Sequence, residues 1–210
     1  MATISKTGIV NGQTADASQV TNIIDALDGT VAITGEDGIM VSGTYGSGLA
    51  VGATGGIADG ASTRMFFNPN KAAFRAGYVN GTQWDNDSIG IYSTAMGWNA
   101  KALGEGSTAM GIYTTASGYY STAMGGFTTA SGGASTAMGW TTTAPSFAET
   151  AVGLYNTSYA LATDAITWNA ADRLFVVGNG TGAGAESNAL TITKDGTMNI
   201  NDAYDMPTTG

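Results

Sequence analysis

From Asn86 to Tyr155 the apolar and polar positions repeat with a half-period of seven residues and a full period of fourteen. In blocks of seven from residue 86, the five-residue heads read NDSIG, STAMG, AKALG, STAMG, TTASG, STAMG, TTASG, STAMG, TTAPS and ETAVG. STAMG begins at Ser93, Ser107, Ser121 and Ser135, Gly closes each head from Gly90 to Gly139 and again at Gly153, and Ala holds the third place in all but the first head, where Ser88 stands. A fixed short period marks a solenoid. Seven also suggests a coiled coil, but that needs large apolar residues at two heptad places among good helix formers. These blocks are instead filled with Gly, Thr and Ser, which are poor ones. Within STAMG the side-chain types alternate, as they do along a strand with two unlike faces. The two residues after each Gly can turn a corner, so a block is a strand plus a turn and two blocks make one coil. The expected fold is mainly β: a parallel β-solenoid of 14-residue coils, rising about 4.8 Å per coil.

Several columns follow from stacking these coils. Met96, Met110, Met124 and Met138, continued by Val152, form one, read as an adaptable buried core, with an exposed recognition stripe as the alternative. Trp98, Tyr113, Tyr119, Tyr120, Phe127, Trp140 and Tyr155 fall in the corners. They read either as a seam between chains or as rigid anchors for a glycan or protein receptor, since aromatic side chains dominate binding energy. Ala and Gly columns leave surfaces that another backbone can approach closely. So small a coil buries a thin core, which points to self-association with closed rotational symmetry.

The S-x-A-x-G blocks at fourteen-residue spacing resemble the YadA-like head repeats of trimeric autotransporter adhesins, which recur in bacteriophage tail fibres. The resemblance covers residues 86–155 and implies a left-handed β-roll, a homotrimer, and a structural and adhesive role. It implies a place in a virion, with other virion or fibre proteins and a host surface glycan or protein as partners, or else on a bacterial cell surface as an adhesin head. TTAPS departs from the pattern with Pro145 and Ser146. Pro cannot donate to a ladder and favours edges, so the roll is expected to lose regularity there.

Outside the repeats the chain divides into three further parts. Residues 1–30 read as an arm and a short helix for attachment or trimerisation, since Val20, Ile23, Ile24 and Leu27 form one helical stripe. Residues 31–85 form a Gly-rich β region capping the roll, with Phe66, Phe67, Phe74 and Tyr78 over its open end. Arg64, Lys71 and Arg75 beside them make a basic-aromatic binding patch the alternative. Residues 156–210 read as a β-hairpin region continuing into a longer fibre: strands at Leu174–Val177 and Ala189–Thr193, then a turn at Asp195-Gly196.

Composition narrows the chemistry. Seven basic residues against sixteen acidic ones give a net charge of −9, which argues against nucleic acid, whose affinity comes largely from Lys and Arg. With no His and no Cys there is no Ser–His pair, no thiolate metal site and no disulfide framework. No secretory leader or apolar span suited to membrane insertion is evident. Glu36/Asp37, Asp85/Asp87 and Glu149 are the carboxylates a glycosidase would need, and they read better as solvated turn residues. Asp85, Asn86 and Asp87 could offer oxygens to Ca²⁺, but a turn explains them equally. No catalytic residue, cofactor or metal is expected. The Thr pairs Thr114-Thr115, Thr128-Thr129 and Thr142-Thr143 allow a weaker reading as an ice-binding array. It is weakened because adjacent strand residues face opposite sides.

Overall fold

In the computed structural model, residues 60–200 are described. The helix expected within residues 1–30 lies outside them. The helical turn that the described residues contain is a single 3-10 turn at Asn86–Ser88.

The repeats form the expected parallel solenoid, but its two half-coils differ. Five-residue strands, β3 (Thr94–Trp98), β5 (Thr108–Ile112), β7 (Thr122–Gly126), β9 (Thr136–Trp140) and β11 (Thr150–Leu154), stack in one sheet. Two-residue strands, β4 (Lys101–Ala102), β6 (Thr115–Ala116), β8 (Thr129–Ala130) and β10 (Thr143–Ala144), stack in a second, four-stranded sheet. Every coil-to-coil pairing keeps the sequence register: Ala95 faces Ala109, then Ala123, then Ala137, then Ala151.

The interior belongs to alanine. Ala95, Ala109, Ala123, Ala137 and Ala151 on the long strands, with Ala102, Ala116, Ala130 and Ala144 on the short ones, are all fully buried. Strand alternation then turns the flanking Thr and Met outward. The expected Met core is therefore corrected: Met96 is 37% exposed, and Met110, Met124, Met138 and Val152 are only half-buried on the outer face of the long sheet. The reason is spatial, since two sheets joined by such tight corners leave room between them for a methyl group and little more.

Gly secures that close approach. Gly111 has φ +124°, and a Cβ there would lie 2.0 Å from the Gly125 carbonyl oxygen of the next coil. The position thus needs Gly both for its conformation and for its neighbour. At the first place of three of the four STAMG repeats, Ser93, Ser107 and Ser121 donate from Oγ to the carbonyls of Gly90, Gly104 and Gly118 at 2.6–2.7 Å, clamping the preceding turn.

Non-repeating chemistry closes both ends. At the amino-terminal end, β1 (Ser62–Asn68) and β2 (Ala73–Val79) form an antiparallel hairpin, and β2 then pairs in parallel with β3. The buried plugs are Trp84, Val79 and Arg75, with Phe66 partly buried against them. Trp84 Nε1 donates to the Ala100 carbonyl at 2.8 Å. The Arg75 guanidinium donates to the carbonyls of Ser93 (2.9 Å) and Ala102 (3.1 Å) and to Ser93 Oγ (2.8 Å). Of the four aromatics expected to cap the roll, only Phe66 joins this cluster, and Tyr78 points outward.

At the other end the short sheet stops at β10, next to Pro145, as the Pro predicts. The long sheet continues through β12 (Arg173–Asn179), parallel to β11, and then β13 (Asn188–Thr193) and β14 (Met198–Ile200), both antiparallel. The hairpin signal at Asp195-Gly196 is used as read, with Gly196 at φ +88° and Thr193 N–H donating to the Thr197 carbonyl.

Candidate interaction surface

Two corners define each coil, and each requires one residue in the left-handed region. These residues fall seven apart: Tyr92, Asn99, Gly106, Tyr113, Tyr120, Phe127, Ala134, Thr141, Ala148 and Tyr155, with φ between 40° and 64°. Such a conformation costs a non-Gly residue about 1–2 kcal/mol. The ladder bonds of each corner over-determine it: Tyr113 N–H donates to the Trp98 carbonyl, and Phe127 N–H to that of Ile112, each at 2.8 Å.

The corner at the end of each long strand gathers most of the sequence-predicted aromatics into one ladder. Ring centroids run Tyr78–Trp98 at 6.4 Å, Trp98–Tyr113 at 5.2 Å, Tyr113–Phe127 at 5.2 Å and Phe127–Trp140 at 5.1 Å. Trp140 Nε1 then reaches the Tyr155 hydroxyl at 3.3 Å. The five ladder rings are 37–45% exposed. Tyr113 and Phe127 lie parallel within 4°, so these two rings spend a face on each other and offer their edges outward. No charged side chain belongs to this corner.

Tyr119 and Tyr120 are not part of that ladder. They sit at the opposite corner, perpendicular to each other at 5.4 Å, over small neighbours. A Cβ at Gly133 would strike the Tyr119 ring at 2.6 Å, and one at Gly106 the Tyr120 ring at 2.7 Å. Tyr120 is 60% exposed.

The outer faces of the two sheets are unlike. The long sheet shows Thr, Met and large apolar residues, including Ile112 and Leu154. The short sheet shows Lys101, Thr115, Thr129 and Thr143. In each Thr pair the first member (Thr114, Thr128, Thr142) is fully buried and its Oγ1 has no hydrogen-bond partner, while the second faces outward. The pairs therefore form no double row of hydroxyls.

The candidate acids separate in space. Asp85 accepts the Gly60 N–H at 2.7 Å beside the 3-10 turn, and among the described residues no group of His, Cys, Asp or Glu is arranged to hold a metal ion. Glu36 and Asp37 lie outside the described residues. Glu149 is not a solvated turn residue but a fully buried one, a correction to the sequence reading. It pairs with Arg173 Nε at 2.8 Å, accepts the Ser146 N–H at 3.0 Å and has the Tyr159 hydroxyl at 3.3 Å. Burial pushes its pKa above the usual carboxylate range, against the pull of Arg173 and Ser146. Arg173 also lies over the Tyr159 ring at 4.1 Å. This cluster locks the last coil to β12.

One feature of this end escaped the sequence reading. The β11–β12 register pairs Thr150 with Phe175, a step of 25 residues where the steps from β3 to β11 are fourteen, so eleven residues are inserted. The excursion runs back along the roll, and its Ala165 carbonyl accepts the Gly133 N–H at 2.8 Å. Asp164 fixes the loop through the N–H groups of Ile166 and Thr167 and the Thr167 hydroxyl, and those bonds hold its carboxyl below the usual range. Ile166 and Trp168 stand 58% and 57% exposed. Among the described residues no helix is long and apolar enough to cross a membrane.

Comparison with known families agrees with this geometry. Residues 88–114 and 116–142 match the YadA head domain repeat, in two copies. No match was found among characterised proteins or among solved structures. Residues 88–142 are thus YadA-like head repeats, and together with the β-solenoid they fit an adhesin-like fibrous protein.

Proposed function

With YadA-like head repeats as its centre, we propose that this chain is a segment of a homotrimeric fibre that carries an attachment surface towards a host, in the setting of a bacteriophage tail fibre. The observation that carries the reading is the contrast between the faces of the roll. The long sheet presents uncharged Thr, Met and aromatic columns that a partner chain can cover, and the short sheet presents a polar surface suited to water. The largest apolar patch on a typical monomer measures about 300–600 Å² and is often functional. The five ladder rings alone leave roughly 300–500 Å² uncovered, taking 150–250 Å² for a whole aromatic side chain.

The family is structural rather than catalytic in character, and the buried Glu149–Arg173 pair serves the fold. Light scattering of the purified chain tests the reading first, with three times the monomer mass expected and a monomer at micromolar concentration refuting it. Immunogold labelling then distinguishes the two settings. Label on virion fibres is expected, and label confined to the bacterial cell surface would transfer the same trimer to an adhesin head.

A further inference from the structure

The two apolar surfaces of the roll lie at opposite corners of the same coils, and they differ in shape. One is the straight aromatic ladder. The other is the corner where the inserted loop folds back, with Tyr120, Ile166 and Trp168 exposed. The coil whose Gly133 N–H holds that loop carries Phe127 and Trp140 at its other corner. Patches at opposite corners of a roll cannot both enter one two-fold contact, in which a single face of each copy meets the same face of the other. They suit a heterologous contact, in which each copy uses one patch on one neighbour and the other patch on the next, and which closes into a ring.

We infer that the inserted loop is a docking element for a second copy of this chain, with Ile166 and Trp168 of one roll seated against the Phe127–Trp140 stretch of the next roll's ladder. The inference rests on the trimeric reading above and names the side chains that would join its copies. Charge is consistent with it: from Thr157 to Ala171 the loop has one charged residue, Asp164, whose carboxylate is engaged by its own loop. Preorganisation is consistent as well. Asp164 fixes the backbone around Ile166, and Asn169 Oδ1 accepts the Ala171 N–H at 3.0 Å just beyond Trp168. The backbone that carries both exposed side chains is therefore fixed before any partner arrives, which removes part of the ordering cost of association. Trp is among the residues most often found to dominate an interface.

The test is a double-mutant cycle on the full chain, read as oligomer mass against concentration by light scattering. One variant carries Ile166→Ser and Trp168→Ser, a second carries Phe127→Ser and Trp140→Ser, and a third carries all four changes. Circular dichroism establishes that each retains its β structure. If the ladder pair unfolds, Phe127→Leu with Trp140→Leu takes its place in the cycle. Each pair should raise the dissociation concentration about tenfold or more, and the combined variant should be no weaker than the worse pair, as expected of groups that touch. A wild-type monomer would refute the trimeric reading itself. A wild-type trimer whose loop variant dissociates like wild type would overturn the docking role alone and leave the loop free for a receptor. Additive losses would show that loop and ladder meet different partners.

Discussion

Asn156 ends the short sheet by imitating the strand that is missing beyond it. Its Oδ1 accepts the Thr143 N–H at 2.8 Å and its Nδ2 donates to the Thr143 carbonyl at 2.9 Å. In the preceding coils the Thr142 carbonyl accepts the Thr129 N–H, and the Thr128 carbonyl the Thr115 N–H. One side-chain amide thereby satisfies both backbone groups of an edge strand. Asn156→Ala should cost about 2 kcal/mol, because two part-buried groups lose their partner. Asn156→Asp should also destabilise, since a carboxylate can accept from Thr143 but cannot donate. Equal melting temperatures for the three proteins would show that water replaces the amide without loss.

Gly125 combines φ +110° with a Cβ position 2.1 Å from the Gly139 carbonyl oxygen. Gly125→Ala should therefore cost about 3 kcal/mol or more, from backbone strain together with overpacking. Val should prevent folding. A denaturant midpoint within error of wild type for the Ala variant would contradict the register of the long sheet.

Buried hydroxyls point the other way. Thr128 is fully buried and its Oγ1 finds no partner among the described residues. Thr128→Val keeps the shape and removes the unmet group, so it should stabilise by about 1 kcal/mol. The same change at Thr129, whose side chain faces outward, should have little effect. Thermal unfolding of the two variants checks this, and a loss of stability at Thr128 would mean that the hydroxyl has a bonded partner.

The pH dependence has a definite sign. Burial raises the Glu149 pKa in the folded chain above its ordinary value of 4.5, so the folded state binds this proton more tightly than the unfolded state does. The stability it contributes is fully present below the unfolded pKa and is lost as pH rises through the folded one. Between those two values the wild type should gain stability on acidification relative to Glu149→Gln, which cannot titrate. Parallel stability–pH curves for the two proteins over that window would show that Arg173 and Ser146 fully offset the effect of burial, and a wild type that loses stability on acidification would show that they outweigh it.

At the left-handed corners, relief is available. Ala134 has φ +55°, in a column where Gly106 already stands. Ala134→Gly should be neutral or stabilising by up to about 1 kcal/mol, although Gly also gains freedom in the unfolded chain. Hydrogen exchange of the Ala134 and Ala148 amides would report any loosening of the corner.

The repeat made most of the architecture readable before any coordinates. The spacing of Ser93, Ser107, Ser121 and Ser135 gives the coil length and register directly, and Pro145 marks where the short sheet stops. What misled was size. Met in STAMG looks like the core residue and Ala like the spacer, but the gap between the sheets accepts Ala95 and its successors and turns Met96 and its successors outward. Strand alternation alone cannot say which parity faces in, because that depends on how far apart the sheets sit. The plugs were also hidden, since Arg75, Trp84 and Asn156 act once each and carry no periodicity. The inserted loop left one trace. Gly153 is paired with Gly178 rather than with a residue fourteen positions on, and no motif stands in between to mark the interruption.

Because the end plugs are unique while the coils between them are nearly interchangeable, the length of this roll behaves as a quantity counted in whole units. Removing residues 107–120 would join Gly106 to Ser121 and bring every remaining column back into line, shortening the roll by about 4.8 Å. Removing seven would set a long strand against a short one and break both sheets. Recombination between near-identical coils can therefore lengthen or shorten such a roll in fixed steps and leave both of its plugs untouched, which makes reach a trait that can vary separately from the chemistry of the ends.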